Sequence, residues 1–203
     1  CILSISAVQA QHSALTPSGL RVEYGDQPLG IDTPKPRLSW QSVSTVRGVR
    51  QSAYQIQAAK NDADLTAGKV LWDSGKIASD QSLFIPYGGP ELHSRDRVLW
   101  RVRVWDGKGQ ESEWSKPSFW EMGLLKSADW QVKWIAPEGA EKGAEERPVA
   151  LLRDSFTLTG EVAQARLYAT AKGVYQLELN GQPVGEDLLT PGWTAYRHRI
   201  QYQ

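Results

Sequence analysis

Hydrophobic residues recur at every second position over many short stretches of this chain, which is the spacing that β-strands require. The clearest stretch places four apolar residues on one face, with arginines between them: Val98, Trp100, Val102 and Val104. Successive side chains of a strand point to opposite faces of a sheet, so this alternation predicts a half-buried strand. Asp106 and a glycine-rich segment follow directly and predict a tight turn.

Short strands of this kind are predicted throughout residues 16–124, with Gly, Pro, Asn or Asp between them. Asn61 precedes one predicted helical turn, because its side chain can cap the first free N–H groups. About seven strands in ~100 residues are typical of an immunoglobulin-like or fibronectin type III-like sandwich. The predicted strands are Leu20–Glu23, Arg37–Trp40, Gln51–Ala59, Leu71–Asp73, Ser82–Ile85, Arg97–Trp105 and Phe119–Met122.

A second β region is predicted after Val149, with three strands at Leu151–Leu158, Gln164–Ala171 and Val174–Leu179. Asn180-Gly181 then predicts a two-residue hairpin, since a type I′ turn requires positive φ at both positions. Four or five strands fall short of the ~8 strands of a jelly roll. We therefore expect an incomplete jelly-roll-like sandwich with an open edge and an uncovered apolar face. The predicted fold class is all-β.

Three segments follow from these patterns: a leader over 1–15, a sandwich over 16–124 and a partial jelly-roll-like domain over 125–203. The leader resembles the end of a signal peptide, because small residues follow an apolar stretch. This interpretation predicts export to the periplasm or the extracellular space, while a short buried strand is the alternative. Residues 138–147 predict a solvated loop, and a helix is the alternative.

Composition narrows the possible partners. The chain has 203 residues, of which 40% are hydrophobic and nine are Trp, so it can build a packed core. Its 23 basic and 23 acidic residues balance, which argues against nucleic acid as a partner. No apolar run approaches the ~20 residues that span a bilayer. Cys1 is the single cysteine, so an intrachain disulfide is excluded.

Candidate catalytic chemistry is sparse. Glycoside hydrolysis needs two opposed carboxylates, and none of the many acidic residues stands out as a member of such a pair. Glu145 and Glu146 are adjacent in a predicted loop, where solvation explains them. Asp73 and Asp106 end strands beside glycine, which indicates turn formation. We therefore assign no catalytic residue.

No cofactor or metal site is predicted either. The chain contains no phosphate-binding glycine loop and no dinucleotide-binding motif. Its three histidines lie far apart and have no ligand at zinc spacing: His12, His93 and His198.

Two aromatic residues are the candidate carbohydrate contact. Trp193 lies in a segment bounded by Pro191 and Gly192, and Tyr196 follows three residues later. Exposed aromatic rings can stack on sugar rings. The alternative is that Trp193 packs against a neighbouring domain.

An ordered set of motifs resembles the N-terminal portion of bacterial α-L-rhamnosidases, and it covers nearly everything after Leu15. The motifs are Gly30-Ile31-Asp32, Pro36 to Trp40, Gln51 to Ile56, Trp72 to Lys76, Trp100 to Asp106, Phe119 to Gly123, Ala128-Asp129-Trp130, Trp134-Ile135, Leu152 to Phe156, Gly173-Val174-Tyr175, Leu179-Asn180-Gly181 and Pro191 to Thr194.

The resemblance implies a parent enzyme that releases terminal α-L-rhamnose with inversion. It implies a fibronectin-type sandwich, a jelly-roll-like domain, and then an (α/α) barrel that carries the catalytic glutamates. No residue of this chain matches the barrel motifs. The partners implied are the catalytic barrel of the same parent chain and, through it, rhamnose-containing glycans.

Two other function classes stay open at this point. The chain could be a stand-alone carbohydrate-binding module that uses Trp193 and Tyr196. It could also be an adhesion-type fibronectin module, as Ser112-Glu113-Trp114-Ser115 suggests. Such modules often carry this motif for packing alone.

Overall fold

The computed structural model describes residues 12–137 and 149–203. Secondary structure in these ranges is almost entirely β, which confirms the predicted class. The chain divides into two compact units, the first ending at Gln131 and the second beginning at Val132. Three predicted features lie outside the described residues: positions 1–11 of the leader predicted over 1–15, the loop predicted over 138–147, and the pair Glu145 and Glu146.

From residue 12 onwards, the first unit contains seven strands and one short helix. The strands are β1 Thr16–Val22, β2 Arg37–Val43, β3 Gln51–Ala59, β4 Trp72–Asp73, β5 Ile85–Pro86, β6 Arg97–Asp106 and β7 Ser118–Glu121. Helix α1 spans Asp62–Thr66, and the Asn61 side chain accepts a 2.8 Å hydrogen bond from the N–H of Asp64. The predicted cap is thereby confirmed. A 3₁₀ turn at Ser127–Asp129 follows the last strand.

Two antiparallel sheets form the sandwich of the first unit. One has the strand order β1-β2-β5 and the other β4-β3-β6-β7. Along β6 the predicted alternation is confirmed, since Val98, Trp100, Val102 and Val104 are all buried. The largest completely buried side chains belong to this unit: Trp40, Trp100, Trp120, Tyr87, Leu38, Ile56, Leu65, Met122, Val22, Val98, Val102 and Val104.

Strand β5 overlaps least with its predicted range, and β1 begins at Thr16 rather than Leu20. Strand β5 covers Ile85–Pro86 rather than Ser82–Ile85. Phe84 has φ +56°, which interrupts the extended backbone immediately before Ile85. Pro86 is tolerated because β5 lies at the edge of its sheet, where the missing N–H removes no central bond.

The described part of the second unit has one regular hairpin, formed by β8 Glu178–Leu179 and β9 Gln182–Pro183. Asn180 and Gly181 have φ +52° and +76°, which confirms the predicted turn. Tyr175 pairs with Thr190 through an isolated bridge. This pairing fixes the start of the segment that carries Trp193.

Two strands predicted in the second unit are wrong as regular strands, and the third, Val174–Leu179, is regular only over Glu178–Leu179. The segment Leu151–Leu158 has no assigned strand, and its apolar side chains are exposed. Gln164–Ala171 contributes only a reciprocal backbone pair between Ala169 and Gln203, with N···O distances of 2.7 and 2.9 Å. The residues do alternate, but a strand also needs a partner for its N–H and C=O groups. The described residues beside these segments supply no such ladder.

Candidate functional site

The structure brings the two predicted carbohydrate-contact residues together. The ring centroids of Trp193 and Tyr196 lie 6.3 Å apart, and the ring planes meet at 42°. Tyr196 lies in the turn that follows Trp193, in which the carbonyl of Ala195 accepts hydrogen bonds from the N–H groups of His198 and Arg199.

The two rings differ in what they offer a ligand. Trp193 is 88% exposed, whereas the hydroxyl of Tyr196 is buried and has no hydrogen-bond partner among the described residues. The tilt keeps the two rings from forming one flat surface. Neither ring lines a cleft of about 160 Å³ in the same unit, which is bordered by Tyr175, Leu177 and Thr190. The candidate is thus one open indole face supported by Tyr196.

A larger cleft of about 390 Å³ lies in the first unit, between the turn after β3 and the start of β6. Its floor is apolar, with Leu92 and Val98 buried, and its rim is charged. The rim residues are Lys60, Glu91, His93, Arg95, Asp96 and Arg97.

Glu91 and Asp96 do not form an acid and base pair suited to glycoside hydrolysis. Glu91 is exposed, and Asp96 accepts a 2.7 Å hydrogen bond from the N–H of His93. The His93 Nδ1 atom lies 3.5 Å from the same carboxylate. A glycosidase acid needs apolar surroundings that keep it protonated, and this rim is rich in cations instead.

The aspartates predicted as turn formers have that role. Asp106 accepts hydrogen bonds from the N–H groups of Lys108 at 2.9 Å and Gln110 at 3.1 Å, and from the Ser13 hydroxyl at 3.0 Å. Burial raises the pKa of Asp106, but these donors together hold it below its ordinary value.

Asp73 is held in a similar way at the end of β4. It accepts a 2.8 Å hydrogen bond from the N–H of Gly75, and the amides of Gln55 and Gln57 donate to it at 2.7 and 2.8 Å. Burial raises the pKa of Asp73, and the hydrogen bonds from Gln57, Gln55 and Gly75 bring it below its ordinary value. Both carboxylates therefore accept hydrogen bonds that stabilise turns of the first unit.

The segment Ser112–Ser115 also serves the sandwich. The hydroxyl oxygens of Ser112 and Ser115 accept 3.1 Å hydrogen bonds from the N–H groups of Val104 and Val102. The two serines thus continue the pairing along β6. Packing within the sandwich therefore accounts for the two serines of the motif.

Cations and indole rings alternate on the outer face of the same sheet. The guanidinium of Arg103 lies between Trp105, at 4.9 Å, and Trp114, at 4.8 Å. Arg101 packs on Trp114 at 4.5 Å, and Lys76 packs on Trp105 at 4.5 Å. Each contact of this kind contributes about 0.5–1 kcal/mol at exposed positions.

A second exposed aromatic pair, Tyr24 and Phe84, was missed by the sequence analysis. Their ring centroids lie 5.6 Å apart, and Arg37 packs against both rings. No periodicity could reveal it, because Phe84 is fixed by a left-handed backbone.

The described residues contain neither a cluster of metal ligands nor a helix that could span a membrane. Among residues 12–137 and 149–203, no group of three or more His, Cys, Asp or Glu side chains is arranged to hold a metal ion. Within the same ranges, no helix has the length and apolar character needed to cross a bilayer.

Comparison with protein families shows which family the sandwich of the first unit resembles. Residues 17–126 match the model of the Rha78A-like N-terminal immunoglobulin domain. The chain belongs to this family. Residues 160–203 match the α-L-rhamnosidase N-terminal domain, which covers the segment with Asn180, Trp193 and Tyr196. The resemblance found in the sequence is confirmed.

Individual relatives agree with the family models. An α-L-rhamnosidase of Alteromonas sp. (strain LOR) is 40% identical over 193 residues, covering 91% of this chain and 21% of the relative. The solved α-L-rhamnosidase of Dictyoglumus thermophilum is 31% identical with a TM-score of 0.81, covering 92% of this chain and 22% of that structure. The solved Streptomyces avermitilis α-L-rhamnosidase complexed with L-rhamnose is 50% identical with a TM-score of 0.58, covering 61% of this chain and 12% of that structure.

The chain spans about a fifth of the length of the curated relatives it matches. Both matched models describe N-terminal domains of these enzymes, so the chain is an N-terminal, non-catalytic portion of this kind of protein. The relatives are larger rhamnosidases, which does not favour a stand-alone binding or adhesion module.

Proposed function

We propose that this chain is the non-catalytic N-terminal portion of an exported α-L-rhamnosidase that releases terminal α-L-rhamnose with inversion. In this proposal it packs against an (α/α) catalytic barrel of the same polypeptide and helps to shape access to the glycan. The observation that carries the proposal is the match of both described units to N-terminal domains of this family. The boundaries 1–15, 16–124 and 125–203 remain predictions, as does the fibronectin type III subclass of the sandwich.

The exposed apolar surface of the second unit supports packing against further polypeptide. Leu151, Leu188 and Leu189 are 93%, 89% and 76% exposed. Burying apolar surface contributes about 25 cal/mol per Å², so a partner that covers these side chains would stabilise the unit. A large exposed apolar area is also the usual mark of an interaction surface.

The direct test compares two purified proteins on an aryl α-L-rhamnoside. One is the 203-residue chain, and the other is the product of the longest reading frame that contains it. We expect no turnover by the chain alone and turnover with inversion, followed by NMR of the released sugar, for the long product. Turnover by the chain alone, or an inactive but folded long product, would refute the proposal.

Export is tested separately. We expect the long product to be recovered from the periplasm or the medium, with a new N-terminus after Ala10, because Val8 and Ala10 have the spacing that a signal peptidase uses. Mass spectrometry of the mature protein identifies that terminus. A cytoplasmic protein with an intact leader would contradict this part of the proposal.

A second function, carbohydrate contact at Trp193 and Tyr196, is supported by the open indole face. We expect the indole N–H resonance of Trp193 to shift when a rhamnose-containing oligosaccharide is added at millimolar concentration. Trp134 is the matched control, because its indole lies in the same unit and is also exposed, at 57%. Equal shifts of both resonances, or none, would remove this candidate.

A further inference from the structure

Three neighbouring strands bring a cation and two aromatic rings to one end of the β1-β2-β5 sheet. Arg37 begins the central strand β2, Glu23 directly follows β1, and Phe84 directly precedes β5. Tyr24 is 71% exposed and Phe84 39% exposed, and their rings meet edge to face at 65°. We call Glu23, Tyr24, Arg37 and Phe84 the sheet-end cluster.

The cluster is held in place before any ligand arrives. One oxygen of the Glu23 carboxylate accepts a 2.8 Å hydrogen bond from the N–H of Arg37, and the other accepts a 3.0 Å bond from Arg37 Nε. The guanidinium carbon lies 5.6 Å from the centroid of Tyr24 and 4.9 Å from that of Phe84. A surface fixed in this way loses little further conformational entropy on binding.

The backbone adopts unfavourable conformations to build this cluster. Glu23 and Phe84 have φ +54° and +56°, in the left-handed region that non-glycine residues rarely adopt. The fold holds both positions: Glu23 N–H donates to the carbonyl of Arg37, and Phe84 N–H donates to the Ser39 hydroxyl. Strained residues of this kind cluster at functional sites, and here they set the positions of exposed aromatic rings.

Charge restricts the class of ligand. Glu23 and Arg37 neutralise each other, so the cluster offers no net attraction for an anion. Its open surface is aromatic, and the guanidinium edge beside it can donate hydrogen bonds. A 6-deoxyhexose fits this chemistry, because it presents an apolar C–H face, a methyl group and neutral hydroxyls.

We propose that the sheet-end cluster is an accessory contact for the rhamnose residues of a glycan, with Tyr24 stacking on the sugar and Arg37 donating to a hydroxyl. This inference rests on the proposed function, which supplies rhamnose as the sugar. It adds a site in the first unit, remote in sequence from Trp193.

The test is an NMR titration of the 203-residue chain with methyl α-L-rhamnopyranoside. We expect saturable shifts of the backbone amides of Glu23, Tyr24 and Phe84. Methyl α-L-mannopyranoside, which differs by a hydroxyl on C6, should bind more weakly if the methyl group contacts the rings. Absence of shifts at these amides overturns the inference, as do shifts confined to Trp193.

Variants separate the cluster from nonspecific effects. Tyr24→Ala should weaken binding by about tenfold, equivalent to about 1.4 kcal/mol. Val46→Ala is the matched control, because Val46 is 55% exposed in the segment after the far end of β2 and should leave affinity within about twofold. Arg37→Lys retains the charge but loses the planar fork, and we expect intermediate affinity. Equal affinities for Tyr24→Ala and the unmodified chain would overturn the inference.

The outcome is distinguishable from failure of the proposed function. If the long product hydrolyses aryl rhamnosides while the amides of Tyr24 and Phe84 do not respond, the function stands and the accessory contact is wrong. If neither activity nor binding is found, the proposed function itself fails.

Discussion

The two units carry the same kind of hydrophobic alternation, yet among the described residues only those of the first unit form a buried core. In the first unit, Trp100 and Trp120 are completely buried between two sheets. In the second, Leu151 and Trp193 are 93% and 88% exposed. The difference shows that alternation determines which face of a strand is apolar, while burial depends on a second layer of structure.

Backbone pairing explains the same difference. Strand β6 lies between β3 and β7, so both of its edges have partners. The hairpin of β8 and β9 forms a separate two-stranded sheet. Two strands alone are marginally stable in water, and about three or more with an apolar face are needed for independent stability.

The largest expected effect is a difference in hydrogen exchange between the units. Amides of β3 and β6 should exchange at least ~10³-fold more slowly than those of residues 151–158, which corresponds to about 4 kcal/mol of opening free energy. Exchange followed by mass spectrometry of proteolytic peptides measures both segments in one sample. Equal, strong protection would show that the second unit is stable without further partners.

A matched pair of tryptophan substitutions gives the next largest effect. Trp100→Ala should lower the free energy of unfolding of the first unit by about 3–5 kcal/mol, because it leaves a cavity between the sheets. Trp193→Ala should change the free energy of unfolding by less than about 0.5 kcal/mol, since the indole is exposed. Urea denaturation monitored by fluorescence compares the variants. A small effect of Trp100→Ala would mean that the core repacks around the loss.

Local features of the sequence predicted several details correctly. The four apolar residues of β6, the cap at Asn61 and the turn at Asn180-Gly181 each depend on neighbouring positions, and each is confirmed. Such features follow from side-chain period, capping and positive φ, which short stretches of sequence specify.

Features set by distant contacts could not be predicted. The left-handed backbone of Phe84 depends on the hydroxyl of Ser39, 45 positions away in sequence. Leu151–Leu158 has the composition of a strand, but no described neighbouring strand pairs with it. The sequence predicts Trp193 and Tyr196 as a carbohydrate contact. It does not predict the tilt between their rings or the burial of the Tyr196 hydroxyl, which only the structure shows.

Asp106 lies in a turn of the first unit, and its substitution should have an intermediate effect on the free energy of unfolding. Asp106→Asn should cost about 1–3 kcal/mol, because the carboxylate accepts hydrogen bonds from Lys108, Gln110 and Ser13. Its pKa is lowered in the fold. The stability that it contributes is therefore present above the unfolded pKa of about 3.9 and is lost as the pH falls through the folded value.

The measurement for Asp106 is urea unfolding of the first unit at a series of pH values below neutral. Asp106→Asn should flatten the acid limb of the stability curve. Asp80→Asn is the matched control, because Asp80 is exposed, and it should leave that limb nearly unchanged. Identical acid limbs for the Asp106 variant and the unmodified chain would contradict the assigned role of this carboxylate.

The smallest effect tests whether strain in a turn is transmitted to the fold. Gly109 and Gly181 have φ +77° and +76°, and a Cβ at either position would meet no atom within 4 Å. Alanine at each position therefore introduces the same backbone strain, about 1 kcal/mol, without a clash.

Gly109 belongs to the turn fixed by Asp106, so Gly109→Ala should lower the unfolding free energy of the first unit by about this amount. Gly181→Ala should open only the hairpin, which is visible in the amide shifts of Glu178 and Gln182, and leave the unfolding midpoint of the first unit unchanged. A shift of that midpoint by Gly181→Ala would mean that the two units unfold cooperatively, and the contrast between them would then describe their surfaces and not their stabilities.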